Sequence, residues 1–266
     1  MNTLTAMHIA DNYLLNPTNP VTINLIGAGG TGSHMLTKLA EMNCALIALG
    51  HAGLQVNLFD DDRVTEANTG KQVFAESEIG LYKSVVLINR ANRFCGTNWK
   101  AVTQKFDGDN RYKMPEGGKA NIYVSCVDTV ASRFGIAKFF EQMPQNSYGR
   151  NTPLYWMDMG NSRYSGQVIL ATLKEIKQPV SKLYRTVSVL PKITDEFRDL
   201  LLAETDNSEP SCSHAEALEK QELFINPTVA NYGAQLLWLL FRKGMTDTRG
   251  VFINLENFKT EPLKVA

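Results

Sequence analysis

At 266 residues, 44% hydrophobic and 20% charged, the chain has the composition of an ordinary globular protein with a large core. Lys+Arg and Asp+Glu balance at 27 each, so no global charge draws it to nucleic acid or to an anionic membrane surface, and neither is expected as a partner. The four cysteines (Cys44, Cys95, Cys126 and Cys212) contain no Cys-x-x-Cys pair, which excludes a recognisable structural zinc site and argues for a reducing compartment. No basic start with an apolar core opens the chain, and no apolar run approaches the roughly 18 residues that span a bilayer, so a cytoplasmic location is expected.

Residues 1–19 read as a short lead-in, a brief helix or strand followed by the turn Asn16-Pro-Thr-Asn-Pro. Val21, Ile23, Leu25 and Ile26 then form a buried strand that breaks into Gly27, Gly29, Gly30 and Gly32. From His34 the apolar spacing of Met35, Leu36, Leu39 and Ala40 is helical. Strand, glycine turn and helix make a phosphate-binding element, because glycines let the backbone approach a phosphate and the helix N-terminus supplies N–H donors. Alone, this pattern indicates a nucleotide without saying which one. The helix runs toward Gly50 or Gly53, and Leu54–Phe59 alternates as a second strand ending in Asp60, Asp61 and Asp62. An acid at that strand end bonds ribose hydroxyls in dinucleotide folds, usually about 20 residues after the glycines. Asp60 lies 28 residues after Gly32, so the intervening helix or its exit is long.

The residues from Asp60 to Lys83 are more specific. Asp60-Asp61-Asp62-Arg63-Val64 leads to Asn68, then to Lys71-Gln72, and Gly80 stands three residues before Lys83. In order and nearly at spacing, this train resembles the ThiF/MoeB/HesA superfamily, whose members read Gly-x-Gly-Gly-x-Gly, Asp-x-Asp-x-Val, Asn-x-x-Arg-Gln and Gly-x-x-Lys. The resemblance covers residues 20–170 well and 210–250 loosely. Among subfamilies it is nearest to the ThiF-related proteins of bacterial PRTRC cassettes. It implies an α/β, Rossmann-like, mainly parallel sheet flanked by helices, with added C-terminal strands. It also implies a single ThiF-type domain over 1–266, with a variable crossover segment at 174–212. The implied activity is adenylation of the C-terminal glycine carboxylate of a ubiquitin-like (β-grasp) protein, with ATP and magnesium. By the same resemblance Gly27, Gly29, Gly30, Gly32 and Asp62 belong to the nucleotide site and Asp60 holds the ribose. Asn68, Lys71 and Lys83 contact phosphates. Lysine at 71 keeps the charge of the family's arginine but loses its bidentate fork.

Downstream, residues 84–96 form an amphipathic helix with Val85, Leu87, Ile88, Ala91 and Phe94 toward one side and Gly96 as its stop. Trp99–Phe106 alternates as a strand, and 107–120 is a polar, turn-rich loop. Asn121–Asp128 is a buried strand whose closing aspartate, by resemblance, binds magnesium, a role compatible with capping the helix at 131–141; Cys126 falls inside it. Two strands, Leu154–Gly160 and Gly166–Leu173, come next, and then a helix from Asp195. Ser213 and Glu216 fit a capping box that leaves Cys212 just outside a helix N-terminus, where a thiolate is favoured. In ubiquitin-activating relatives a crossover cysteine accepts the activated partner as a thioester; a cysteine without chemistry is the alternative for Cys212. From Val229 to Phe241 the chain is helical and nearly apolar all round, as in a core or a dimer interface, and Arg249 onward closes in one or two strands.

The resemblance also implies a homodimer in which an N-terminal arginine crosses into the partner's ATP site. Residues 1–62 contain no arginine, so Lys38 or another cation would have to serve. A nicotinamide-dependent oxidoreductase fits the glycines and Asp60 but leaves Asn68, Lys71, Lys83 and Asp128 idle. A catalytically silent member of the fold that binds a ubiquitin-like protein is the third reading.

Overall fold

The computed structural model describes residues 4–69, 72–106, 118–143, 149–203 and 221–266. In chain order its elements are β1 (Ala6–Ile9), α1 (Asn12–Leu15), β2 (Val21–Ile26), α2 (Gly30–Ala48), β3 (Leu54–Phe59), α3 (Lys83–Cys95), β4 (Lys100–Val102), β5 (Ile122–Ser125) and α4 (Val130–Glu141). Then come β6 (Tyr155–Asn161), β7 (Ser165–Thr172), β8 (Arg185–Thr186), α5 (Ile193–Glu196), α6 (Arg198–Ala203), α7 (Ile225–Lys243), β9 (Met245–Thr246), β10 (Thr248–Asn254) and β11 (Lys259–Lys264). Among the described residues one eight-stranded sheet has the order β11-β10-β7-β6-β5-β2-β3-β4. From β6 to β4 every pairing is parallel, with β2 aligned on β3 from Val21↔Leu54 to Ile26↔Phe59. Beyond β6 the pairings with β7, β10 and β11 are antiparallel. This is the mainly parallel α/β fold with added C-terminal strands that the sequence implies.

Side-chain alternation assigns the two faces. Ile23, Leu25, Val56, Leu58, Ile122 and Val124 pack with α2, α3 and α7, whereas Ile26, Phe59, Tyr123 and Trp156 pack with α4, α5 and α6. Both faces of β2 are buried, so its polar residues Thr22 and Asn24 are buried too and must be hydrogen-bonded. The one internal asparagine, Asn24, accepts a hydrogen bond from Asn57 on β3 at 2.9 Å and donates to the Gly118 carbonyl at 3.2 Å. The 19 residues of α2 account for the long interval between the glycines and Asp60.

Two helices depart from their sequence patterns. On α3 the buried stripe is Ser84, Leu87, Ile88 and, half-buried, Ala91 and Cys95, with Phe94 86% exposed. Phe94 lies only about 20° from Leu87 on the helical wheel, but in the last turn before Gly96 it faces out beside Arg90 and Arg93, so the expected placement is corrected. Helix α7 is amphipathic rather than apolar all round. Val229, Ala230, Gly233, Leu236, Leu237 and Leu240 are buried, while Asn231, Tyr232 and Gln235 face out. A Cβ on Gly233 would lie 2.4 Å from the Met159 sulfur, so glycine lets α7 settle on β6.

A second, three-stranded sheet, β8-β1-β9, joins the lead-in to the crossover region and to the end of α7. His8 is its fully buried centre. Because Nδ1 lies 2.7 Å from the Val187 carbonyl, it must carry the proton, so Nε2 accepts from the Tyr155 hydroxyl at 2.9 Å. No helix among the described residues is long and apolar enough to cross a membrane.

Candidate nucleotide-binding site

The chain leaves β2 for β3 on one side and, after β4, returns to lay β5 on the other side of β2, so the strand order reverses between β2 and β5. Crevices at such switch points are where α/β folds hold ligands. Here the ends of β2 and β5 touch: the Cys126 amide donates to the Ile26 carbonyl at 2.8 Å, and a Cβ on Gly27 would lie 2.8 Å from the Cys126 oxygen. Gly27 also has φ +96°, a conformation L side chains rarely adopt. A Cβ on Gly32 would come within 1.9 Å of the Gly27 oxygen, and one on Gly30 would overlap the Asn226 side chain. These three glycines therefore serve close packing, Gly27 on the end of β5, Gly30 on Asn226 of α7 and Gly32 on the loop itself. Gly29 differs, because a Cβ there meets nothing within 4 Å. It faces open space.

That space is a cavity of about 520 Å³, within the usual range for small-molecule sites. The start of α2 opens onto it through Gly29, Gly30 and Thr31. The first bond of the helix runs from the Ser33 amide to the Gly29 carbonyl at 3.0 Å, so the amides of Gly30, Thr31 and Gly32 have no intrahelical acceptor. Asp60, Asp61, Asp62, Gln72, Lys83, Lys105, Cys126, Asp128, Asn161 and Asn226 complete the lining.

Each acid has a different setting. Asp60 accepts from the Ala28 amide at 2.6 Å and from the Asp62 amide at 2.9 Å, so one carboxylate pins the glycine loop to the turn after β3. Burial pushes its carboxyl above the usual range, and the Ala28 amide and the Lys83 ammonium oppose that rise. Asp62 pairs with Lys83 at 2.8 Å, and its carbonyl accepts from the Lys83 amide at 2.9 Å. Lys83 is 7% exposed while the Asp62 carboxylate is open to solvent, so Asp62 aims a buried cation rather than hiding one. Asp128 is exposed at the rim, and among the described residues its carboxylate has no hydrogen-bond or ion-pair partner. The α4 cap is Thr129, whose hydroxyl accepts from the Ser132 amide at 3.2 Å, so Asp128 is not the capping residue.

The site's other wall is a satisfied polar network. Thr31 donates to Asn226 at 2.9 Å, and Asn226 donates to Gln221 at 2.9 Å. Beneath Cys126, Arg133 pairs with Asp158 at 3.1 Å and donates to the Val127 carbonyl at 2.9 Å; Ser125 donates to Asp158 at 2.7 Å. Arg133 and Asp158 are both nearly solvent-free, so they fix the turn that presents Asp128. Cys126 lies past the end of β5 and lines the cavity, a correction to its expected place inside the strand. Burial and the nearby Asp158 push its thiol above the usual range.

Of the residues singled out from sequence, the structure gathers Gly27, Gly29, Gly30, Asp60, Asp62, Lys83 and Asp128 around one cavity, with Gly32 packed behind the loop. Asn68 does not line it: its amide oxygen accepts from the Thr65 amide at 2.9 Å and from the Thr65 hydroxyl at 3.0 Å in a local capping box. Lys38 is elsewhere too, paired with Glu41 at 3.0 Å in a groove between α2 and α7. Lys71 and Cys212 lie outside the described residues. Lys105, Asn161 and Asn226 join the site without any signal in spacing. Gln72 had one, its position in the motif, but no role. Its Oε1 is closed off from solvent and, among the described residues, has no hydrogen-bond partner.

The ThiF family profile matches residues 15–263. The chain belongs to the ThiF family. No curated protein matches it closely enough to count as a relative. Among solved structures, this ThiF-family chain is similar to E. coli MccB solved with ATP, at 15% identity and TM-score 0.53 over 92% of this chain and 63% of that one. MccB solved with MccA gives 15% identity and TM-score 0.54 over the same shares. PaaA gives 11% identity and TM-score 0.60, over 92% of this chain and 64% of that one. The chain thus spans less than two thirds of the length of these structures. At such identities the likeness concerns the fold, and it agrees with the order of strands in the large sheet.

Proposed function

We propose that this ThiF-family protein binds ATP with magnesium and adenylates the C-terminal carboxylate of a ubiquitin-like (β-grasp) protein. The observation that carries the reading is one cavity combining an open helix N-terminus, two lysines and a rim carboxylate that has no partner among the described residues. ATP suits this set. Phosphate oxygens are acceptors for the three free amides of α2 and for Lys83 and Lys105. Gln72 Oε1 is an acceptor waiting for a donor, and on ATP the donors are the ribose hydroxyls and the base amino group. Asp60 is the ribose ligand in this reading, and Lys83, swinging from Asp62, is a phosphate ligand. Lys71 is a second phosphate ligand by resemblance. Among the described residues no group of three or more acidic, histidine or cysteine side chains could hold a metal. Magnesium held by Asp128 would then take its remaining ligands from phosphate oxygens and water, its usual mode in nucleotide sites.

An ionised carboxylate needs no general base. Its oxygen attacks the α-phosphorus, the bond to pyrophosphate breaks, and the acyl-adenylate forms. The protein's part is to align the groups and to neutralise charge on the departing pyrophosphate. Lys105 is the cation best placed to supply what an N-terminal arginine would. Cys212 is the proposed acceptor for a later thioester, and the protein is proposed to act as a homodimer. MccB, solved with ATP and with MccA, supports the pairing of a nucleotide with a second substrate on this fold.

The test is ATP–pyrophosphate exchange with purified ubiquitin-like proteins drawn from the same genome. Exchange that needs both magnesium and one such partner supports the reading. Exchange with none of them, while such a partner still binds, indicates a silent scaffold. A reducible partner adduct that disappears in Cys212→Ala would establish the thioester step; full exchange with no adduct in the wild type would make Cys212 structural.

A further inference from the structure

Cys44 and Cys95 are 51 positions apart and carry no motif, yet α2 and α3 bring them together. Cys95 is the last residue of α3, and its Sγ rests 3.9 Å from the Ala40 carbonyl on α2. Ala40 and Cys44 are four apart on that helix and therefore neighbours on one face. Both thiols are free; Cys44 is exposed and Cys95 half-buried. Neither lines the nucleotide cavity. The two cysteines lie roughly 20 Å along their helices from Gly30 and Lys83.

We propose that Cys44 and Cys95 form a redox-reversible dithiol site that reacts with low-molecular-weight disulfides and closes to an α2–α3 cross-link. The exposed Cys44 thiolate attacks one sulfur of glutathione disulfide; a mixed disulfide forms at Cys44 and one glutathione thiolate leaves. Cys95, after losing its proton to solvent, attacks Cys44 Sγ and expels the second glutathione. In sum two protein thiols are oxidised to one disulfide, and one glutathione disulfide is reduced to two glutathiones. The order of attack is set by the surroundings: burial and the adjoining Cys44 push the Cys95 thiol up to about 11, so Cys95 is the resolving group. This site is independent of the adenylation reading.

The test is to equilibrate the full chain with mixtures of reduced and oxidised glutathione, trap free thiols by alkylation and map the peptides without reduction. The expected result is a cross-link between the peptides of Cys44 and Cys95 that excess reduced glutathione reverses. In Cys95→Ser a persistent glutathione adduct at Cys44 is expected, and in Cys44→Ser no cross-link. The oxidised wild type should melt about 5 °C higher than the reduced form, because the link closes a long loop, and its ATP affinity should not change. A glutathione adduct that persists at Cys44 in the wild type, or a disulfide joining Cys44 to any other cysteine, would overturn the proposal.

Discussion

The two halves of the large sheet end differently. In the parallel half, strands β2, β3 and β5 all finish at one edge, and each gives way there to a polar, open segment: the glycine loop, Asp60 to Asp62, and Asp128. In the antiparallel half, β6 turns directly into β7 and β10 into β11, and the inner face of β7, β10 and β11 is closed over by α5 and α6. Phe197 of the crossover region meets Phe252 edge-on at 5.5 Å, and Arg249 pairs with Glu196 beneath. Parallel strands need long crossovers, so their ends are free to carry chemistry; antiparallel strands spend theirs on turns.

Changes at the parallel edge should therefore alter ligand binding, and changes in the antiparallel half should alter stability alone. Asp158 on β6 stands at the border between the halves, and Asp158→Ala removes the carboxylate that faces the buried Arg133 guanidinium. A loss of about 3–5 kcal/mol is expected in denaturant unfolding, the largest of these effects. Lys83→Ala should lower pyrophosphate exchange about 100-fold with little change in melting temperature, whereas Asp62→Asn, which only frees the lysine, should cost about tenfold. In the other half, Phe252→Ala should destabilise by about 2 kcal/mol and leave ATP affinity unchanged; a fall in affinity would break the division.

The glycines give a finer contrast. Gly32→Ala drives a methyl into the Gly27 carbonyl and should cost stability and binding together. Gly29→Ala fills only the ligand's space, so unfolding should shift by less than about 0.5 kcal/mol while ATP affinity falls about tenfold. Last and smallest is a pH effect in the small sheet. Burial holds the His8 pKa below its ordinary 6.5. The unfolded chain binds the proton more readily, so stability should decline as the pH falls below about 6.5 toward the folded value. The slope is at most about 1.4 kcal/mol per pH unit, and His8→Gln should flatten it.

Much of this was legible in residue order. The alternation of β2 and β3, the glycine turn and the acids at strand ends are local patterns, and each was found where its spacing placed it. Asn68 shows the limit: a motif position says what residue recurs, and here the amide closes a turn instead of facing the cavity. Lys105, Asn161 and Asn226 reach the site from three separate segments, and only the fold makes them neighbours. Phe94 shows a second limit, because helical spacing gives a residue's direction without saying whether a neighbouring element reaches that turn. The Cys44–Cys95 pair is long-range in the same way, joined by helix packing that no spacing encodes.

The most direct measurement is calorimetric titration of the full chain with ATP and, separately, with NAD, in the presence and absence of magnesium. The expected result is ATP binding that magnesium strengthens, that Gly29→Ala weakens about tenfold, and that NAD does not displace. NAD binding at the same cavity with no measurable affinity for ATP would contradict it.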